Sequence, residues 1–331
     1  MYEILGACLV LASWLALLAA ASLPAELLWR GLATAAGRWS GASRAQFLLL
    51  LRLAPLLLSL LCTLTLLIPA YVAHEPRDTA EAVTVSLGLL AGTALYGLGL
   101  AAWRAAGRWR ATRLLLREWM ARAREVRIPG ISIPACCAPH PFPVLAIVGV
   151  FRPRLFIAEQ VLESLDAQEI SAAAAHEIGH VVSGDTLKRG LIMLCRDLLG
   201  PIPLGRILDR AWLEAAESAA DEYAARRGTG AALDLASALV KLSRHIPARP
   251  ADLAGAFLFA ENRGRITTRV LQLTRMTGAP GRPPAARMRL LPRSICAALL
   301  LIVAGSFLAG LNPGLLTRVH LALEFLVTVL R

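Results

Sequence analysis

The chain has 331 residues, 56% of them hydrophobic, and yet carries a formal net charge of +12. With a mean hydropathy of +0.58 and a pI near 10.4, this excludes an ordinary soluble domain and fits apolar spans flanked by basic cytoplasmic segments. Nucleic-acid binding, the competing reason for a basic pI, is set aside because the arginines cluster beside apolar stretches and no nucleic-acid motif is present.

The first uncharged stretch, residues 4–23, is long enough to cross a bilayer. Its Met-Tyr-Glu start lacks the basic n-region of a cleaved signal peptide. Arg30, Arg38 and Arg44 follow, then a second uncharged stretch at 53–73. A slightly acidic loop holds His74, Glu75, Arg77, Asp78 and Glu81. A third span at 82–103 ends on Trp103, an interfacial residue type, and an arginine-rich segment from Arg104 to Arg127 comes directly after it. The positive-inside rule puts the basic segments in the cytoplasm and the N-terminus outside. A fourth span at 295–311 takes the chain back out. These readings divide the chain into three transmembrane helices at 1–103, a cytoplasmic domain at 104–293, and a last span with an amphipathic tail at 294–331. The Arg cluster at 104–127 reads as a contact for anionic membrane lipid.

Within the cytoplasmic part, 104–126 reads as a helical extension of span three. Residues 128–158 contain short β-rich runs broken by Pro and Gly, which read as a small sheet with an edge strand at Arg154–Ile157. Asp166-Ala-Gln-Glu169 has the form of a capping box and starts an alanine-rich helix near residue 167. Gly200-Pro-Ile-Pro203 marks a turn before a second alanine-rich helix, and 231–245 and 261–276 read as further helices. Residues 277–293 form a linker rich in Pro, Gly and Arg. In the tail, Thr317, His320, Glu324, Thr328 and Arg331 fall on one helical face, as expected of a helix lying on the outer membrane surface. The six cysteines suggest no disulfide framework, since Cys136 and Cys137 are adjacent and three others lie in apolar spans.

The chemistry concentrates in His176-Glu177-Ile178-Gly179-His180, inside the first alanine-rich helix. Residues four apart share a helical face, so both imidazoles reach one ion while Glu177 faces a water beside it. Two His and a general-base Glu in this spacing are the pattern of zinc hydrolases. The second helix carries Glu217-Ser-Ala-Ala-Asp221. Glu217 is the expected third Zn²⁺ ligand, and Asp221 the acceptor that orients His176. The bland reading, two solvated carboxylates on an exposed helix, weakens because the His pair lacks what Glu217 supplies. For the oxyanion, Arg226, Arg227, His245 and Arg269 are candidates that the sequence does not separate. Asp185 is open between a surface carboxylate and a hydrogen-bond partner within the site.

Three spans, a cytoplasmic H-E-x-x-H domain followed by E-x-x-A-D, and a fourth span together resemble the BlaR/MecR-type antirepressor metalloproteases. The domain is also similar to the HtpX and CAAX prenyl protease class of membrane gluzincins. Gly149-Val-Phe-Arg-Pro153 and Asp185 stand where those families place similar residues. The penicillin-binding sensor of the BlaR/MecR receptors, with its Ser-x-x-Lys motif, has no counterpart here.

The expected fold is mainly α, a multi-span helical membrane protein carrying an α+β gluzincin domain. The resemblance implies a zinc-dependent endopeptidase of the cell membrane that cuts a cytoplasmic or membrane-associated protein, with a transcriptional repressor as the BlaR/MecR-like substrate. Quality control or lipoprotein and prenyl-type processing is the nearest alternative. A non-catalytic zinc scaffold is the alternative of another class, and an intact Glu177 argues against it, because a structural site needs no base.

Overall fold

A computed structural model describes residues 2–77, 83–128, 131, 133–139, 145–149, 153–200, 202–244, 263–276 and 304–329. Three helices are long and apolar enough to cross a membrane: Tyr2–Ala36, Gly41–His74 and Val85–Arg122. The first is α1. The second comprises α2 (Gly41–Cys62), a π turn (Thr63–Leu67) and α3 (Ile68–His74), and the third is α4. Pro69 has no N–H to offer the Thr65 carbonyl four residues back, so the helical ladder shifts register there.

The second helix begins well before residue 53, where the uncharged stretch starts. Arg52 does not end it; its side chain is 2% exposed and its Nε donates to Asp209 at 2.7 Å. A charge inside an apolar helix is tolerated when it is paired and hydrogen-bonded. Similar polar contacts join the other long helices to the remainder of the chain. Gly205 N donates to Glu26 of α1, and Arg104 and Arg108 of α4 donate to the fully buried Asp197 at 2.7 and 3.0 Å. At the start of α2, Gly41 N donates to Glu222 at 2.7 Å, and a Cβ on Gly41 would collide with the Ser218–Ala219 backbone.

The four-stranded sheet holds β1 (Arg124–Val126), β2 (Ala135–Ala138), β3 (Leu145–Val148) and β4 (Arg154–Ala158) in the order β1-β2-β4-β3. Two expectations change here. The helical extension of span three stops at Arg122, and 124–126 is strand. More consequentially, β4 is not an edge: it pairs parallel with β2 and antiparallel with β3. Its Leu155, Phe156 and Ile157 are buried, as befits a strand covered on both faces. Each such side chain contributes about 1.5–3 kcal/mol of hydrophobic burial. The edges are β1 and β3.

Helices α5 (Glu159–Ser164), α6 (Ala167–Ser183), α7 (Asp185–Leu198), α8 (Arg206–Ala225), α9 (Ala231–Ser243) and α10 (Arg263–Met276) complete the domain. Trp119 of α4 meets Phe156 edge-on at 5.1 Å, so the third long helix joins the same core as the sheet, α6 and α9. A second core packs Trp14, Leu15 and Leu18 of α1 and Ala94 and Ala101 of α4 against Cys195, Leu198 and Leu199. Residues 304–310 are helical, and α11 (Pro313–Val329) packs on α3, burying Leu323 and Val327 in a cluster with Leu5, Leu9 and Tyr71. The linker at 277–293, most of the 295–311 span and His245 lie outside the described residues.

Candidate metal centre

Helix α6 is fixed at both ends by its own sequence. Asp166 accepts from Glu169 N and the Glu169 carboxylate accepts from Asp166 N, both at 2.9 Å, closing the capping box. At the far end Gly184 takes φ 69°, a left-handed cap that glycine adopts without a Cβ clash. Helix α7 starts at the next residue, which brings the Asp185 carboxylate back over His180.

Small residues then let α8 lie close against α6. A Cβ on Gly179 would sit 3.1 Å from Ala220 Cα and 3.2 Å from Tyr223 Cβ. The glycine of the pentapeptide therefore sets the approach of the helix that carries Glu217 and Asp221.

His176, His180 and Glu217 each present a ligand atom, all within 4.8 Å of one another. His176 Nε2 is 3.5 Å from one Glu217 oxygen and His180 Nε2 is 3.5 Å from the other. A tetrahedral ion with bonds of about 2.1 Å requires ligand atoms about 3.4 Å apart. The opposite ring nitrogens are held by carboxylates: His176 Nδ1 lies 2.9 Å from Asp221 and His180 Nδ1 lies 2.7 Å from Asp185. With each Nδ1–H donating to an aspartate, both Nε2 lone pairs face the centre, the arrangement that orients imidazole ligands in zinc sites. The donor set thus fits Zn²⁺. Asp185, which the sequence leaves open, belongs with the site.

Electrostatics agree with a site built for a cation. Burial and the Arg269 guanidinium depress the basicity of His176, but hydrogen bonds to Asp221 and Glu217 outweigh them and raise its pKa to about 9. Burial favours the neutral form of Glu217, yet its His176 hydrogen bond and the nearby His176, Arg269 and His180 hold it well below the carboxylate range. Asp221 is lowered in the same way, against its burial, by His176 and Arg269.

Of the three oxyanion candidates among the described residues, Arg269 reaches the site. Its Nε and Nη2 grip the two Asp221 oxygens at 2.9 and 2.7 Å, and Nη1 is 3.1 Å from Glu217. Arg226 pairs with Glu222 and Arg227 with Tyr223, both on exposed side chains. Glu177 accepts a hydrogen bond from Ile147 N of edge strand β3 at 3.3 Å. No side-chain pattern signals that contact, because its donor is a backbone N–H.

Residues 146–291 match the model of peptidase family M48. The match takes in His176, Glu177, His180, Glu217, Asp221 and Arg269, and indicates a metallopeptidase. A comparison with curated proteins gives no match.

Proposed function

We propose that the chain is an integral-membrane zinc endopeptidase whose domain faces the cytoplasm and whose N-terminus lies outside. The observation that carries the peptidase reading is the convergence of two imidazole Nε2 atoms and one carboxylate at the helix that also carries Glu177, whose carboxylate accepts from Ile147 N. The arginine-rich segments after the first and third long helices support the orientation.

His176, His180 and Glu217 would hold Zn²⁺, which would supply Lewis acidity for the scissile carbonyl and lower the pKa of water. Glu177 takes the proton from the attacking water and passes it to the leaving amine nitrogen. Asp221 and Asp185 hold the two imidazoles in the tautomer that leaves Nε2 unprotonated. Arg269 ties Asp221 to Glu217 and balances their charge, so the carboxylates stay ionised in a largely buried setting. Strand β3, rather than β4, is the edge along which an extended substrate adds as a further strand, with Ile147 beside the general base.

The substrate is a protein segment close to the membrane. Helix α7, which follows the site helix directly, packs its end on α1 and α4 through Leu198 and Leu199, and this favours a membrane-associated segment over a freely diffusing repressor. The repressor remains the substrate that a BlaR/MecR-type pathway implies. Casein cleavage by the detergent-purified protein tests the peptidase reading. Cleavage blocked by a chelator and restored by added Zn²⁺ supports it, and chelator-insensitive cleavage by the same preparation contradicts it.

A further inference from the structure

Where α3 ends, a second group of ligating side chains comes together. Glu75 caps the helix with a side chain only 4% exposed, and its Oε2 lies 3.9 Å from His320 Nδ1 of α11. Glu324 is four residues past His320 and so shares its helical face. One ligand atom from each of Glu75, His320 and Glu324 falls within 4.8 Å of the others. His320 Nδ1 is buried and makes no hydrogen bond among the described residues. The His74 ring stacks on His320 at 5.6 Å, and His74 Nε2 contacts Thr317 at 3.1 Å, which holds α11 in register over the end of α3.

The mixed nitrogen and oxygen set selects the kind of cation. Imidazole suits zinc and its neighbours, whereas calcium and magnesium take oxygen ligands. The Glu75–His320 separation of 3.9 Å stands close to the roughly 3.4 Å between the ligand atoms of a tetrahedral ion.

We infer that Glu75, His320 and Glu324 form a second metal site, for a divalent ion of the zinc class, that clamps α11 to the end of α3. The site is roughly 35 Å along the second helix from Arg52, where that helix meets α8, so it is separate from the His176 centre and does not depend on the peptidase reading.

Zinc content by elemental analysis, on detergent-purified full chain loaded with Zn²⁺ and desalted, tests it. The expected values are two zinc ions per chain for wild type and one for His320→Ala, with casein cleavage retained in that variant. Glu324→Gln, which keeps the side-chain shape, gives the same loss should the alanine variant fail to fold. His176→Ala keeps the second ion while losing cleavage, so failure of either site is seen separately. A wild type holding only the ion lost in His176→Ala overturns the inference, as do His320→Ala and Glu324→Gln chains that both retain two.

Discussion

The Glu177 carboxylate accepts its hydrogen bond from the Ile147 backbone N–H, 3.3 Å away, which joins the proposed general base to the β3 edge of the sheet. An extended peptide added to β3, as proposed, would meet the same backbone group. Ile147→Pro removes the N–H at a position where an edge strand accommodates proline. The expected result is a 5- to 10-fold fall in kcat/KM, about 1 kcal/mol for one hydrogen bond, with zinc content unchanged. Titration of casein cleavage against substrate concentration, beside a zinc assay, checks it.

The two aspartates behind the imidazoles give the next expectation. Asp221 and Asp185 each accept from a histidine Nδ1–H at under 3 Å. Asp221→Asn and Asp185→Asn each weaken zinc binding by 10- to 100-fold, measured by competition with a chromophoric chelator. An unchanged affinity in both variants would show that the tautomers are fixed some other way.

Arg269 spans Asp221 and Glu217 with three separate nitrogens. A lysine keeps the charge but not the fork. Arg269→Lys therefore loosens Asp221 and Glu217 and weakens zinc binding about 10-fold, the low end for loss of a partner behind metal ligands, with a fall in kcat that follows the metal. Single-turnover cleavage rates and metal content measured on one preparation separate the two effects.

Glu169 couples the start of the site helix to α9, accepting from Ser237 at 2.6 Å and Lys241 at 2.7 Å as well as from the Asp166 backbone. Burial alone would raise its pKa, but these donors and the Lys241 charge bring it below 4.5. A carboxyl whose pKa is lowered on folding adds stability that is complete above its unfolded value and is lost as pH falls through the folded one. Glu169→Gln thus costs about 1–3 kcal/mol at neutral pH, and the gap from wild type narrows below pH 4.5. Chemical unfolding at pH 7 and pH 3.5 measures both.

Much of the site was legible because the helical repeat is a local property. Asp166 and Glu169 announce the start of α6, the four-residue spacing puts His176 and His180 on one face, and the same spacing pairs Glu217 with Asp221. The partnership between α6 and α8 could be proposed from chemistry alone, since a pair of imidazoles wants a third ligand. Sheet order was harder. Nothing in Arg154–Ile157 says which strands flank it, because strand neighbours are set by long-range pairing, and β3 with its Ile147 N–H took the edge instead. Arg52 misled for a related reason. A lone charge in an apolar run looks like a boundary until Asp209, far along the chain, arrives to neutralise it. His74 and His320 looked like ordinary surface residues for want of each other.

In the proposed mechanism His176, His180 and Glu217 hold zinc while Glu177 moves the proton. The most direct test is to purify wild type, Glu177→Gln and Glu217→Ala together, and to measure zinc per chain and casein cleavage on each. The account predicts that Glu177→Gln keeps the zinc of wild type and loses cleavage by 10²- to 10⁴-fold, the range for general-base catalysis. Glu217→Ala loses one zinc and cleavage together. Glu177→Gln cleaving at the wild-type rate, or Glu217→Ala binding zinc as wild type does, would contradict it.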